Sequence, residues 1–158
     1  MATYAQPVTE RRVTTRRSDM TITDARSFLA PAGRALFSAI FIISGFLSFS
    51  SSAIGYGASH GVPLANILVP LSGLISIAGG LCILLGFHAR IGAWLLVLFL
   101  VPVTFTMHRF WNITDPAMRA AEQANFMKNL ALLGGAFLIA YFGAGAISLD
   151  DRRKRFSS

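Results

Sequence analysis

Four stretches of the chain are almost wholly apolar, at about residues 33–53, 63–86, 91–109 and 126–143. Their apolar residues run all round a helix instead of marking one face of it, as expected of a helix solvated by hydrocarbon. A bilayer core of about 30 Å needs about 20 helical residues to cross it, and each stretch is close to that length. Between residues 35 and 107 the only Lys or Arg is Arg90, and Asp and Glu are absent. No water-facing fold can be built from such a segment. The expected fold is all-α, an integral membrane bundle of four transmembrane helices.

Punctuation between the stretches agrees with this. Residues 50–62 (SSSAIGYGASHGV) are uncharged and rich in Gly and Ser, and read as a loop. Pro31 and Pro63 suit first helical turns, where the missing N–H costs nothing, while Pro70 and Pro102 fall inside spans, where membrane helices tolerate a kink. Residues 87–90 form a tight turn and residues 112–114 a loop. Asp115-Pro116 is a helix start, a capping carboxylate followed by proline, opening an amphipathic segment over 116–125 that runs on into the fourth span. Gly143 and Gly145 end it. Residues 1–30 read as a basic tail, disordered at first and with a short interfacial helix capped by Thr23 or Asp24, residues 31–147 as the membrane domain, and residues 148–158 as a second basic tail. Ser51-Ser52-Ala53 resembles a signal cleavage site, but the long charged lead-in favours an uncleaved anchor.

Composition narrows the function classes. Hydrophobic residues make up 54% of the chain and charged ones 13%, against about 25% charged in a soluble domain. The net charge of +7 comes from the tails, with no interleaved aromatics, so it points to topology and anionic headgroups instead of nucleic acid. With both tails inside, eleven Lys and Arg lie on that side and three (Arg109, Arg119, Lys128) on the other, which places both termini in the cytoplasm by the positive-inside rule. The lone Cys82 excludes an intramolecular disulfide and any multi-thiolate site. No GxSxG, HExxH or Walker motif is present. The spans also lack the acidic residue a proton-coupled exporter would need.

Small residues supply the packing expectation. Ser72, Ser76 and Gly80 recur every four residues in span two, as do Leu132, Ala136, Ala140 and Ala144 in span four, with Ala131 and Gly135 beside them. Such faces let membrane helices approach.

Chemistry concentrates at the outer ends of spans three and four. His108, Arg109, Trp111, Asp115, Arg119, Glu122, Asn125, Lys128 and Asn129 gather there. Glu122, Asn125 and Asn129, spaced i, i+3, i+7, share a helical face. Unpaired polar groups at that depth cost several kcal/mol, so they must face each other, the bundle interior or a ligand. His108 and Arg109 are expected to meet Lys128 and Asn129, with His60 from the first outer loop joining them. These groups suit an anion or a carbonyl, and equally suit plain interface anchoring. No catalytic residue and no metal ligand set stands out, and His88 reads as structural.

Several segments together resemble the DoxX family of small bacterial membrane proteins: Gly33-Arg34-Ala35-Leu36 leading to Ile43-Ser44-Gly45, then His60-Gly61-Val62-Pro63, the stretch from Pro70 to Trp94, Met107-His108-Arg109-Phe110-Trp111, and residues 125–135. The chain departs from that pattern at Ser48, where relatives often carry Lys, and at Asn125, where they often carry His nearby. The resemblance implies four spans, the bacterial inner membrane and a redox context. It leads to the expectation of a small subunit of a membrane redox assembly linked to thiol or oxidative stress. That subunit would hold no covalent cofactor and offer a quinone or a small sulfur oxyanion an outer pocket at His108, Arg109, Trp111, Lys128 and Asn129. Redox enzyme subunits, a second copy of the chain and the lipid bilayer are its expected partners. The alternatives are a non-enzymatic scaffold recruiting partner proteins, and a small-solute permease.

Overall fold

A computed structural model describes residues 27–156 of the chain, with side chains described as far as Arg153. The basic residues of the first 26 positions, and the helix expected at Thr23 or Asp24, lie outside them. The elements are α1 (Leu29–Leu47), α2 (Ser51–Ser59), α3 (Ala65–Leu85), α4 (Ala89–Met107), a 3-10 turn (Phe110–Asn112), α5 (Pro116–Phe142) and α6 (Leu149–Phe156). The fold is all-helical. Four helical stretches are long and apolar enough to cross a membrane: Leu29–Leu47, Ala65–Leu85, Ala89–Asn112 and Pro116–Phe142. Only 11–28% of the residues in each are buried inside the bundle. What they expose is apolar, as at Leu36, Leu98, Leu138 and Phe142, so hydrocarbon is the solvent that fits them.

Close backbone approach holds α3 between α1 and α4. A Cβ on Gly45 would lie 2.8 Å from the carbonyl oxygen of Gly73, and one on Gly79 would lie 2.9 Å from that of Gly92. At each crossing the two helices touch main chain to main chain. Ser76 Oγ bonds Phe41 O across the first of these contacts at 2.8 Å. Phe41, Ile83, Ala93, Leu96 and Leu100 fill the core alongside. The face of α3 turned to α1 is therefore Gly73, Ser76 and Gly80. Ser72, expected on that face, instead bonds its own helix at Val69 O, 2.7 Å away. On α5 the expected stripe is used in part: Ala136 is fully buried, and Gly135 gives room to the ring of Phe37.

Two local differences from the sequence reading have clear causes. Residues 51–59, read as a loop, form α2. Ser50 caps it by accepting from Ala53 N–H at 3.2 Å, and Gly57 is present because a Cβ there would strike Val69 at 2.6 Å. That glycine serves packing of α2 on α3, not chain reversal. Pro63 precedes α3 without entering it, because Leu64 adopts a left-handed φ of 48° just before the helix starts. Asp115 does cap α5, accepting from Met118 N–H at 2.8 Å, with Pro116 in the first turn.

The last residues are folded too. Residues 149–156, expected as a basic tail, are helical and held against the end of the bundle where α1 begins, α3 ends and α4 starts. The described ends of the chain thus share one end, called here the terminal end. The opposite, loop end carries α2, the 3-10 turn and the start of α5.

Candidate functional site

At the loop end, three elements converge on Glu122. The α5 helix starts at Pro116, so Glu122 lies about two turns in, level with the end of α4 where His108 closes the helix. His108 Nδ1 and Glu122 Oε2 are 2.6 Å apart, with side-chain exposures of 17% and 21%. A carboxylate can only accept here, so Nδ1 carries the proton. The phenol of Tyr56 on α2, part of an exposed side chain, lies close enough to the same carboxylate for its O–H to interact with it. Burial, then the Glu122 charge and this interaction, raise the Tyr56 pKa above its usual 10.0.

Next to this triad, Tyr56 and His60 stack with ring centroids 4.0 Å apart. His60 Nδ1 donates to Tyr56 O at 2.8 Å. Arg109 ties the α4 end to the α2 end, donating from Nη2 to His60 O at 2.7 Å and from Nε to Thr106 O at 3.1 Å.

Of the residues singled out in the sequence, the structure brings together His60, His108, Arg109 and Glu122. The remainder go elsewhere. Lys128 is exposed and donates to Asn125 Oδ1 on its own helix at 3.2 Å. Trp111 packs edge-on against Phe110 and Phe126, at 5.2 Å and 5.8 Å between centroids. Asn129 is buried. The expected meeting of His108 with Lys128 does not occur, because Lys128 lies about 9 Å further along the helix axis than Glu122 at 1.5 Å per residue. Tyr56 was missed. Its signal was the i, i+4 pair with His60, visible only once α2 is recognised as a helix.

The terminal end is built differently. Arg34, 6% exposed, donates from Nη1 to Ala144 O and to Ala146 O (3.3 Å), and from Nη2 to Ile147 O (2.6 Å). Asp150 accepts from His88 N–H and Ala89 N–H at 2.8 Å and 3.0 Å, capping α4. Arg90 donates to Tyr141 O at 3.1 Å. Arg153 Nη1 donates to His88 Nε2 at 3.1 Å. A cavity of about 550 Å³ lies there among His88, Arg90, Asp150, Asp151 and Arg153. Among the described residues no group of three or more His, Cys, Asp or Glu side chains is placed to hold a metal.

Neither cluster sets a nucleophile against a base. Most of the acceptors and donors at both ends join one helix to another.

A model of the SURF4 family matches residues 8–156, nearly the whole chain. The chain belongs to the SURF4 family. Relatives include the inner membrane protein YphA of Escherichia coli, 32% identical over 131 residues, covering 81% of this chain and 92% of that one. Inner membrane protein YqjF of the same organism is 34% identical over 119 residues, 74% of this chain and 85% of that one. The Surfeit locus protein 4 homolog of Schizosaccharomyces pombe is 28% identical over 130 residues, 82% of this chain but 39% of that longer protein. No solved structure matches.

SURF4 membership overturns the resemblance to DoxX, and the expected subunit of a redox assembly falls with it. The segments that carried the resemblance are mostly short apolar and Gly-rich runs. Those same residues make the backbone crossings at Gly45, Gly73, Gly79 and Gly92, a requirement of close helix packing that says little about lineage.

Proposed function

We propose that this SURF4-family protein is a non-enzymatic scaffold of the bacterial cytoplasmic membrane that holds partner proteins at the bilayer. Its termini lie on the cytoplasmic side, a reading supported by eleven Lys and Arg at that end against three at the other. The two E. coli relatives that are named inner membrane proteins support the location.

The observation that carries the scaffold reading is the treatment of α6. A short basic helix is fixed to the bundle by the Asp150 cap on α4 and by Asp150 N–H on Gly86 O at 2.8 Å. Fixing it costs chain entropy, and gives a rigid surface with Arg152 and Arg153 exposed. Preorganisation of this kind favours binding by cutting the ordering cost.

Photo-crosslinkers at Arg152, at Gln123 on the loop end and at Leu138 on the lipid face test it in cells. Discrete protein adducts from Arg152, absent from Gln123 and Leu138 and lost when Asp150→Ala frees α6, support the scaffold. Lipid adducts alone from all three positions, or solute flux in proteoliposomes, would replace it with the permease reading.

A further inference from the structure

Between α1, α2, α3 and α4, in the half nearest the loop end, runs a groove of about 590 Å³. Leu68, Leu71 and Leu98 line it and are also exposed on the outside of the bundle. The groove therefore opens on the surface that faces hydrocarbon.

Its hydroxyls are turned away from any occupant. Ser44 Oγ bonds Phe41 O at 3.4 Å and Ser48 Oγ bonds Ser44 O at 2.9 Å. Ser72 Oγ bonds Val69 O at 2.7 Å, and Thr106 Oγ1 bonds Pro102 O at 2.6 Å. The Tyr56 O–H is drawn to the Glu122 carboxylate outside the groove lining. No wall hydroxyl is left as a donor, and the rest of the lining is apolar. A polar solute would lose water there and find no donors in return. A hydrocarbon chain loses nothing.

The rim is cationic. Gly61 lines the groove, and a Cβ on it would lie 3.9 Å from Arg109 Nη2. Arg109 is exposed, held in place by its bonds to His60 O and Thr106 O, with Nη1 unpartnered among the described residues. The nearest carboxylate of the site, Glu122, is already satisfied by His108 and Tyr56. A guanidinium anchored by two of its nitrogens, with a third available, is suited to a phosphate oxygen. Arg109 lies just past the end of α4, where a spanning helix is expected to meet headgroups, and the groove runs from there along the apolar spans.

We propose that the groove holds one acyl chain of a phospholipid whose phosphate is bound by Arg109, as a single built-in lipid site distinct from the general lipid shell. This does not depend on the scaffold reading, since its residues lie at the other end of the bundle from α6.

The test uses the full chain, purified in mild detergent and delipidated, then titrated with phosphatidylglycerol and examined by native mass spectrometry. Saturation at one lipid per chain is expected. Ser72→Phe, which fills the groove, should abolish it, and Leu138→Phe on the outer face should leave it unchanged. Ala53→Trp blocks the groove from α2, outside the spans, and circular dichroism checks that each variant keeps its helix content. Arg109→Gln should weaken phosphatidylglycerol by about tenfold, the scale of one lost charge-assisted hydrogen bond, while leaving diacylglycerol, which has no phosphate, unaffected. Uptake without saturation, or unchanged occupancy in both groove-filling variants, would reduce the groove to part of the lipid shell and overturn the proposal. Displacement by inorganic phosphate alone would make Arg109 a free-anion site and overturn it too, as would preferential retention of a quinone.

Discussion

At the terminal end, charged side chains bond to main chain: Arg34 to the carbonyls of residues 144, 146 and 147, Asp150 to the N–H groups of His88 and Ala89, and Arg90 to Tyr141 O. At the loop end the central contacts between helices run between side chains, from Tyr56 and His108 to Glu122, with Arg109 alone reaching from one helix to the backbone of another. The difference follows from what each end must do. The terminal end has to satisfy exposed helix ends and a tight return at Gly143 and Gly145, where orphaned backbone groups would be costly near hydrocarbon. The loop end has to register three helices whose ends are already capped, by Ser50 and Asp115 among others. Side-chain bonds suffice for that.

The strongest way to break this contrast is Arg34→Ala. It leaves three carbonyls without their donor, that of Ala144 buried and those of Ala146 and Ile147 partly so, and hydrogen bonds to charged groups are worth about 1.5–3 kcal/mol each before any relaxation. A loss of at least about 3 kcal/mol is expected, read as unfolding in mixed micelles, with faster hydrogen exchange concentrated in residues 143–156. Among the described residues the buried Nε of Arg34 and the buried hydroxyl of Ser38, one turn along α1, have no hydrogen-bond partner. A loss spread evenly over the bundle would mean that Arg34 supports the core and not the return.

Asp150→Ala comes next. Removing a capping carboxylate costs about 0.5–2 kcal/mol, and this one is supplied from 62 residues away in sequence. Its loss should free α6 and make residues 149–156 sensitive to protease while the four spans stay folded. Resistance equal to that of the unaltered chain would show that other contacts dock α6.

Glu122→Gln tests the loop end at about 1 kcal/mol, since the pair with His108 is partly solvated and partly replaced by a neutral hydrogen bond. The effect should be confined to α2 and the α4–α5 junction.

How much of this was legible in the chain depended on where each physical cause sits. The four spans were legible because hydrocarbon solvation needs unbroken apolar runs, and Asp115-Pro116 because a cap and its helix adjoin. α2 was not, since Gly57 serves contact with Val69, which lies on another helix, and its glycines and serines look locally like a loop. Ser72 was assigned to packing because a four-residue repeat cannot tell a face turned to α1 from one turned to the groove. The cage around Arg34 and the cap from Asp150 leave no trace in local sequence: their partners are main-chain atoms, which every residue carries. His108, Arg109 and Glu122 were recognised as a cluster, but not their pairing, which depends on how far along its axis α5 begins.

The smallest effect expected is that of Tyr56→Phe, and it separates the two ends most finely. Three tyrosines are present in the chain, and Tyr141 is largely exposed. Burial and the adjacent Glu122 charge raise the Tyr56 pKa above 10.0. A folded value raised above the unfolded one means that the protonated phenol stabilises the fold. That contribution is whole below about pH 10 and is lost as pH climbs through the raised value. Phenolate absorbance should therefore show one late-titrating tyrosine, absent in the Phe variant and shifted back toward 10.0 in Glu122→Gln. The cost in stability should stay under about 1 kcal/mol, one neutral donor lost from a carboxylate that keeps His108. If the late component survives Tyr56→Phe, the phenol is not bonded to Glu122, and the loop end is joined by His108 and Arg109 without α2.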